Sequence, residues 1–588
     1  MAILIPPDMT TSGSAGVADA QVAQALQAAM PSDVWVWYHP KNSSQRPRFV
    51  AITSQFGIVA IDVYDWTCDA VQEVRRDGVR LKHGDFVNPA GELNPRLEQL
   101  RARLPETNNA LLQGLIALPN ITDADVRAHR LTTAIPRHCL VTRDQLGDMR
   151  LTQDLEPCPT PLNADLLQQL RDRLYPETSF QRPKLVRDEA RAQRKSIRVR
   201  LTAEQEGIAR TLSSGVTIVK GVAGSGKSLI LAARARYLAA MHPDWRIQVL
   251  CFNRTLVKYL KDLVGTPGGC VNVSTFHRWA LDLGVQVPWI KTPADEQREE
   301  ETIRRFVDAG SYKHSYDAIL VDEGQDFRQS WFAMVGHMAR PQRGGVMVVT
   351  DGAQSIYQEA SLGDLLGTNA STLFLTKNFR NTEQIGRFAV GTIFTEESDD
   401  PSDVADSRTP FAGEFSLQGQ PVQVVSAPTR DEQAEFIAKE IRRLVREGFA
   451  GNRDIAVLVT TWWGAWNRLK ECLSKANIRH FVLDKNPVAK NNFDLTEQTV
   501  KVLTAHSAKG LEFPVVFMFG VDGVKLPPTM RDADQRQANL ARALYVGMTR
   551  ATDLLYVTYK DECVVSRRAS SLSRWCDIRQ YPGDFDYS

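Results

Sequence analysis

The residues best placed to do chemistry begin at Gly221. In Gly221-Val-Ala-Gly224-Ser225-Gly226-Lys227-Ser228 three glycines stand where a backbone must bend tightly, and a lysine and a hydroxyl follow. The preceding VTIVKGV (216–222) reads as a strand and the following segment as a helix, so the loop's N–H groups and the helix N-terminus would face bound phosphates. Lys227 is then predicted to reach the β- and γ-phosphates of a nucleoside triphosphate, and Ser228 to ligate Mg²⁺. A glycine turn without a nucleotide is the plain alternative, and the strand before it and the helix after it argue against that. A second cluster follows the strand-like DAILV, in Asp322-Glu323-Gly324-Gln325-Asp326. One carboxylate there can hold Mg²⁺ through water while the other polarises an attacking water, and we place Asp322 on the metal and Glu323 on the water.

Elements able to position these groups recur from about residue 201 to 560. RIQVLCF (246–252), DAILVDE (317–323), GVMVVTD (345–351), DIAVLVT (454–460) and PVVFMFG (514–520) are apolar runs separated by helical patterns, the signature of α/β units with parallel sheets. Each run ends in polar or glycine residues, where open α/β sheets place their ligands. The first 150 residues differ. A helix-like stretch at 17–30 leads into RFVAIT (48–53) and GIVAIDVYDW (57–66), which predict a hairpin turning between Gln55 and Gly57. Next comes a proline-punctuated stretch (156–162), then a segment with eight Lys or Arg between Arg182 and Arg200. That segment reads as a solvated linker helix, with phosphate contact as the alternative.

With these motifs in view, the chain resembles the UvrD/Rep-type superfamily 1 helicases over residues 201–560. Leu201-Thr-Ala-Glu-Gln205 resembles the Q motif, which implies that Gln205 reads the adenine edge. Cys251-Phe252-Asn253 and Thr275-Phe276-His277 resemble early DNA-contacting motifs, implying rings on which bases could stack. Asp351-Gly-Ala-Gln354-Ser-Ile-Tyr357 is similar to the motif whose Gln senses the γ-phosphate and whose following residues touch DNA. Asn378-Phe379-Arg380 implies adenine stacking on Phe379 and a γ-phosphate contact from Arg380. Thr504-Ala-His506-Ser-Ala-Lys509-Gly510-Leu511-Glu512-Phe513 implies DNA backbone contacts near Thr504 and His506 and a ribose contact from Glu512. Leu544-Tyr-Val-Gly-Met-Thr549-Arg550-Ala551 implies an arginine finger at Arg550.

The resemblance implies an α/β fold with two RecA-like P-loop NTPase domains (201–365 and 366–565), a C-terminal tail (566–588), and ATP and Mg²⁺ held between the two domains. It further implies a DNA-dependent ATPase that moves 3′ to 5′ on single-stranded DNA, with RNA an open alternative. The pattern also departs from the family. Only 19 residues separate HFVLD (480–484) from the Thr504 motif, so the large inserted subdomain of many relatives has no room, and poor unwinding of long duplexes is expected. Glu359 stands where many relatives carry a stacking Trp, and Leu229 replaces an Arg often found after the phosphate loop.

Residues 1–150 resemble the nuclease-related NERD domain, a smaller α/β unit of restriction-endonuclease type, joined to the ATPase by a helical, basic linker (151–200). Relatives carry an Asp before the first strand of the pair and Glu-x-Lys on the second, whereas this chain has Arg48 and Asp62-Val63-Tyr64. Arg48 cannot ligate a cation, and Tyr64 is neutral at pH 7 where a Lys would be charged. Asp62, Asp65 and Glu98 remain, so a degenerate site is expected, leaving a recognition or docking role toward a protein partner.

Composition sets the outer bounds. A chain of 588 residues with 43% hydrophobic and 24% charged residues is that of an ordinary folded protein of several domains. A net charge of only +2 requires any attraction to nucleic acid to come from local patches. Eight scattered cysteines without a CxxC pair, and no apolar stretch of membrane length, lead us to expect free thiols, a cytoplasmic location and no membrane partner. Two other readings stay open: an ATP-gated nucleic-acid sensor in a defence complex, and an active helicase-nuclease.

Overall fold

A computed structural model describes residues 2–587, except 11–14, 33, 41–45, 105–110, 148–153, 186–193, 212–214, 223, 266–268, 289–291, 341, 352–369, 376, 394–414, 460–464, 484–492, 496, 506, 524–542 and 586. The described residues divide into two compact units. One gathers Met1–Phe180, Val199–Ser214 and Arg236–Pro243, and the other Gln181–Arg198, Gly215–Ala235 and Asp244–Ser588.

The first unit is built on a sheet of β1 (Ile3–Ile5), β2 (Trp35–Tyr38), β3 (Phe49–Thr53), β4 (Gly57–Val63), β8 (Leu112–Leu118) and β9 (Leu140–Thr142), in the order β1-β2-β3-β4-β8-β9. A small antiparallel sheet of β5 (Val71–Arg75), β6 (Gly78–Leu81) and β7 (Phe86–Val87) branches off between β4 and β8. The hairpin expected from the sequence is present: β3 pairs antiparallel with β4 from Phe49↔Ile61 to Thr53↔Gly57. Gly57 is needed there, because its φ is +72° and a Cβ would lie 2.4 Å from the Leu111 carbonyl oxygen. The helix Val17–Ala29 links β1 to the parallel β2, and Pro89–Arg101 leads into β8, which runs parallel to β4. Every residue of β4 is buried, since Val59 and Ile61 pack with Val22 and Leu26 on one face, and Ile58 and Ala60 with Trp37 and Leu170 on the other. This double coverage explains why β4 reads as a continuous apolar run.

His39 lies fully buried in this unit, with Nδ1 2.9 Å from the Pro47 carbonyl and its ring stacked on Tyr175 at 5.9 Å. Burial first, then the charges of Arg46, Arg210 and Arg103, hold its pKa well below the ordinary histidine value. The folded state therefore keeps His39 neutral while an unfolded chain takes up a proton below about pH 6.5, so stability must fall as pH drops through that value. The expected slope approaches about 1.4 kcal/mol per pH unit for a single site. Urea denaturation between pH 7.5 and 5.5 measures it, and His39→Asn should flatten the slope whatever it does to absolute stability. An unchanged slope would show that other groups carry the acid sensitivity.

The basic segment departs from the expected helix. β10 (Ser179–Leu185) and β11 (Arg194–Arg200) pair as a two-stranded sheet. Pro183 obstructs a helix in the first, and Ser196-Ile-Arg-Val-Arg200 alternates with the period of a strand in the second.

The second unit holds two larger sheets. In the first, β12 (Val216–Gly221), β13 (Ile247–Cys251), β14 (Val271–Thr275), β15 (Ala318–Val321), β16 (Gly345–Asp351) and β17 (Ala370–Leu375) run parallel in the order β14-β13-β15-β16-β12-β17. β18 (Asn378–Thr382) pairs with β19 (Phe415–Leu417). The second sheet contains β20 (Val422–Ser426), β21 (Ile455–Val459), β22 (His480–Val482), β23 (Val500–Thr504), β24 (Phe513–Phe519), β25 (Ala551–Tyr559) and β26 (Cys576–Gln580). Its order is β22-β23-β21-β24-β25-β20-β26, again all parallel. β24 shows why such strands must be apolar throughout: Val516 and Met518 enter one core, Val515 and Phe517 the other. β26 lies within the stretch expected as a tail. Its short, charged sequence Cys-Asp-Ile-Arg-Gln gave little strand signal, because as an edge strand it leaves most side chains exposed. These parallel sheets fit the two RecA-like domains anticipated above. No helix among the described residues is long and apolar enough to cross a membrane, and no two cysteines are disulfide-bonded.

Candidate nucleotide site

The loop between β12 and the helix Lys227–Met241 forms one wall of a cleft in the second unit. The cleft is lined by Gly224, Gly226, Lys227, Ser228, Leu229, Tyr259, Glu323, Arg380, Gly510 and Arg550. Gly224 and Gly226 have φ of +84° and +87°, the left-handed backbone that turns the loop's N–H groups inward. Lys227 donates from Nζ to the Gly221 and Val222 carbonyls, each at 2.9 Å, so its ammonium lies along the loop. Ser225 is buried.

Across the sheet, Asp322 and Glu323 follow directly on β15. Ser228 Oγ donates to Asp322 Oδ2 at 2.9 Å, which sets a hydroxyl and a carboxylate side by side as hard oxygen donors of the kind Mg²⁺ takes. Burial and the adjacent Glu323 carboxylate push the Asp322 pKa up. For Glu323 burial works in the same direction, but Lys509, Lys227 and Arg550 outweigh it and hold the carboxyl below its usual range. Glu323 also adopts a left-handed backbone, φ 54°, uncommon for a residue with a side chain.

The other wall comes from β18 and the second sheet. Arg380 Nε lies 3.0 Å from Glu512 Oε2. Arg550 is buried and donates to the carbonyls of Val546 (2.8 Å) and Leu511 (3.3 Å) and to Thr549 Oγ1 (3.2 Å). The Phe379 N–H donates to the Gly224 carbonyl at 3.1 Å, and a Cβ on Gly224 would lie 2.5 Å from Asn378 Oδ1. The close approach of the two walls thus depends on that glycine. Asn381 ties the wall together, donating from Nδ2 to the carbonyls of Thr549 (3.0 Å) and Ala551 (2.6 Å).

Sequence reading gave no role to Lys509. Its ammonium donates to both oxygens of Asp326 (2.7 and 2.8 Å) and stands 3.8 Å from Glu323, joining the Thr504–Phe513 motif to the carboxylate motif. A lysine inside a recognised motif, facing a motif rich in acids, was the available signal. Tyr259 lines the cleft without having been anticipated. Gln205, in the first unit, is buried and completes a capping box, its Oε1 accepting from the Thr202 N–H at 2.9 Å.

The expected nucleic-acid residues fare unevenly. Phe252 and His277 are partly exposed beside Trp331, with ring centroids 6.0 and 5.0 Å away, and Asn253 stands at the N-cap position of the helix Arg254–Val264 without a side-chain capping bond. Phe276 is not available for stacking a base: it is fully buried, 4.3 Å from Trp331 and packed among Trp279 and Phe327. The sequence showed an aromatic beside a DNA motif but not which of two neighbouring rings the core would take. Thr275 is buried and its Oγ1 accepts from the Arg278 N–H at 3.2 Å, a helix cap. Thr504 bonds Ser507 at its strand end. Gln354, Tyr357, Glu359 and His506 lie outside the described residues.

Residues 204–360 match an AAA domain, and residues 373–490 and 488–562 match the UvrD-like helicase C-terminal domain. The chain is 33% identical over 102 residues to the ATP-dependent DNA helicase PcrA of Staphylococcus aureus strain MRSA252, covering 17% of this chain and 14% of that protein. PcrA of Staphylococcus epidermidis RP62A is 31% identical over 115 residues, covering 19% and 16%. The aligned region is therefore a small part of the length of these relatives. Among solved structures, the C-terminal domain of a possible DNA helicase from Lactobacillus plantarum WCFS1 matches at 17% identity over 34% of this chain and 98% of that one, with a TM-score of 0.23. The chain thus carries an AAA domain (204–360) followed by a UvrD-like helicase C-terminal domain (373–562), in the order in which the motifs occur.

Proposed function

We propose that the chain hydrolyses ATP with Mg²⁺ in the cleft of the second unit and uses the cycle to move along single-stranded DNA. The supporting observation is that Lys227, Ser228 and Glu323 from the first parallel sheet line the same cleft as Arg380 and Arg550 from the far wall. Lys227 and the loop amides would hold the phosphates, Ser228 and Asp322 the metal, and Glu323 would take the proton of the attacking water. Mg²⁺ held there would supply charge neutralisation to the phosphates. Arg380 and Arg550 would stabilise charge on the transferring phosphoryl group, so that turnover requires both walls together. Opening after hydrolysis then gives the second state of a two-state hinge.

The test is the steady-state ATPase rate with single-stranded DNA, duplex DNA and RNA side by side, followed by displacement of a protein roadblock from single-stranded DNA. Severalfold stimulation by single-stranded DNA with roadblock displacement is expected, and both should vanish in Lys227→Ala. ATP turnover without displacement would favour a clamp that senses nucleic acid without travelling.

For the first unit we propose a NERD-like domain that does not cut DNA. Asp62, the carboxylate that could have served a metal, is buried and ion-paired with Arg96 at 2.5 Å, and it accepts the Arg48 N–H at 3.1 Å. Asp19 accepts the Tyr38 hydroxyl at 2.9 Å and faces Arg48 Nε at 3.7 Å. The Arg96 guanidinium thus stands on the candidate Asp62 and that of Arg48 on Asp19, where they repel a cation. Incubation with Mg²⁺ or Mn²⁺ and plasmid, single-stranded or branched DNA should leave every substrate intact, and cleavage lost in Asp62→Ala would restore the helicase-nuclease reading.

A further inference from the structure

Just past the ends of β13 and β14, Phe252 and His277 keep part of their rings exposed, with centroids 6.4 Å apart. Burial lowers the His277 pKa, and the charges of Arg254 and Arg328 lower it further, so two guanidinium groups stand near this pair. Partly open rings beside cations suit single-stranded nucleic acid, whose bases stack and whose phosphates seek positive charge.

Under these rings lies a fully buried stack. Phe276 and Trp331 are 4.3 Å apart and within 8° of parallel, and Phe327 meets both edge-on, at 5.9 and 5.4 Å. Trp331, on the helix Gln329–Met338, also neighbours both outer rings, stacked on Phe252 at 6.0 Å and edge to face with His277 at 5.0 Å. The orientation of its indole therefore reaches the exposed pair directly. Glu299 fixes that orientation. It lies on the helix Pro293–Asp308, which packs against the helix Gln329–Met338, and its Oε1 accepts from Trp331 Nε1 at 2.9 Å. Arg328 Nε stands 3.6 Å from the same oxygen, while Arg328 also pairs with Glu296.

Glu299 has no exposed surface, and its Oε2 meets no hydrogen-bond donor among the described residues. Burial pushes its pKa up, against the Trp331 bond and the Arg328 charge, and Glu296 and Glu300 add to the rise. A half-satisfied carboxyl group at this depth is costly, and an apolar side chain of similar size would pack there without that cost. What the carboxyl group adds is direction, because an apolar neighbour cannot hold the indole N–H in one place.

We propose that Glu299 is a positioning residue for nucleic-acid binding: by holding Trp331 Nε1 it sets the buried ring on which Phe252 and His277 rest, and with it the tilt of the surface that takes the bases. This rests on the reading of the chain as a motor on single-stranded DNA with Phe252 as one of its contacts. It gives the helix Pro293–Asp308 a part in gripping DNA that is separate from the hydrolytic step.

The test uses the full chain and a labelled oligothymidylate. Fluorescence anisotropy gives the dissociation constant, and the ATPase rate against oligonucleotide concentration gives the half-saturating concentration and the rate at saturation. Glu299→Gln keeps an acceptor of the same size, Glu299→Leu removes it, and Phe252→Ala removes a stacking ring. Glu299→Leu is expected to weaken binding about fivefold or more and to raise the half-saturating concentration by a similar factor, with the rate at saturation within about twofold of wild type. Glu299→Gln should bind within about twofold of wild type, since the Trp331 bond survives. The double variant Phe252→Ala/Glu299→Leu should bind better than the product of the two single effects implies, because Glu299 acts through the rings. Thermal unfolding shows whether each variant is folded, and should Glu299→Leu fail, Trp331→Phe, which keeps a ring and loses the N–H, takes its place with the same expectation. If Phe252→Ala weakens binding while Glu299→Leu binds as wild type, the positioning role is overturned and the contact reading survives. A fall in affinity and in saturated rate together in Glu299→Leu would show general damage to the domain and would also overturn it. If Phe252→Ala binds as wild type, the contact reading falls, and this proposal falls with it.

Discussion

Replacing Glu323 by Gln should leave a protein that binds ATP and Mg²⁺ yet turns ATP over at least about 10³-fold more slowly, the range expected when a general base is removed. The amide has the size of the carboxylate but cannot accept a proton. The structure adds two reasons for choosing this residue over its neighbour. Glu323 is held ionised by Lys509, Lys227 and Arg550, whereas Asp322 is pushed toward the protonated form by burial and by Glu323, and it is engaged by the Ser228 hydroxyl. The left-handed backbone at Glu323 also fixes where its side chain leaves the strand end. Phosphate release measured beside binding of a fluorescent ATP analogue separates the two effects. Wild-type turnover in Glu323→Gln would move the base elsewhere.

Arg550→Ala is expected to lower turnover by about 10³-fold or more while changing nucleotide affinity much less, as for a group that meets charge only in the transition state. Truncation also strips the carbonyls of Val546 and Leu511 of a donor, so part of any effect could come from a loosened wall. Arg550→Lys discriminates. It retains a charge but not the planar fork, and a folded Arg550→Lys protein should still be slowed about 10²-fold. A turnover number equal to wild type in both variants would remove the main support for closure of the two walls.

Much of the second unit was legible because parallel strands buried on both faces must be apolar throughout, and VTIVKGV, DAILV and PVVFMFG announce themselves in that way. The phosphate loop was legible because its glycines answer a conformational need that appears in the backbone angles of Gly224 and Gly226. What escaped was whatever depends on tertiary partners. Phe276 and Phe252 look alike in sequence and both meet Trp331, but Phe276 is fully buried there while Phe252 stays partly exposed. Lys509 needed the distant Asp326 to acquire a role. The basic stretch reads as a helix on its charge, although its proline and its alternation point to strands. Glu299 and Trp331 lie far apart in sequence, and no local pattern marks them as partners.

The bonds from Asn381 to the carbonyls of Thr549 and Ala551 have a kinetic consequence. They lock the strand bearing Arg380 to the turn bearing Arg550, so the two cations behave as a single prong. A prong of that kind enters the phosphate region whole or not at all. On the proposed mechanism, species with one guanidinium seated and the other withdrawn would then be disfavoured, and the two charges would reach the phosphates in one motion.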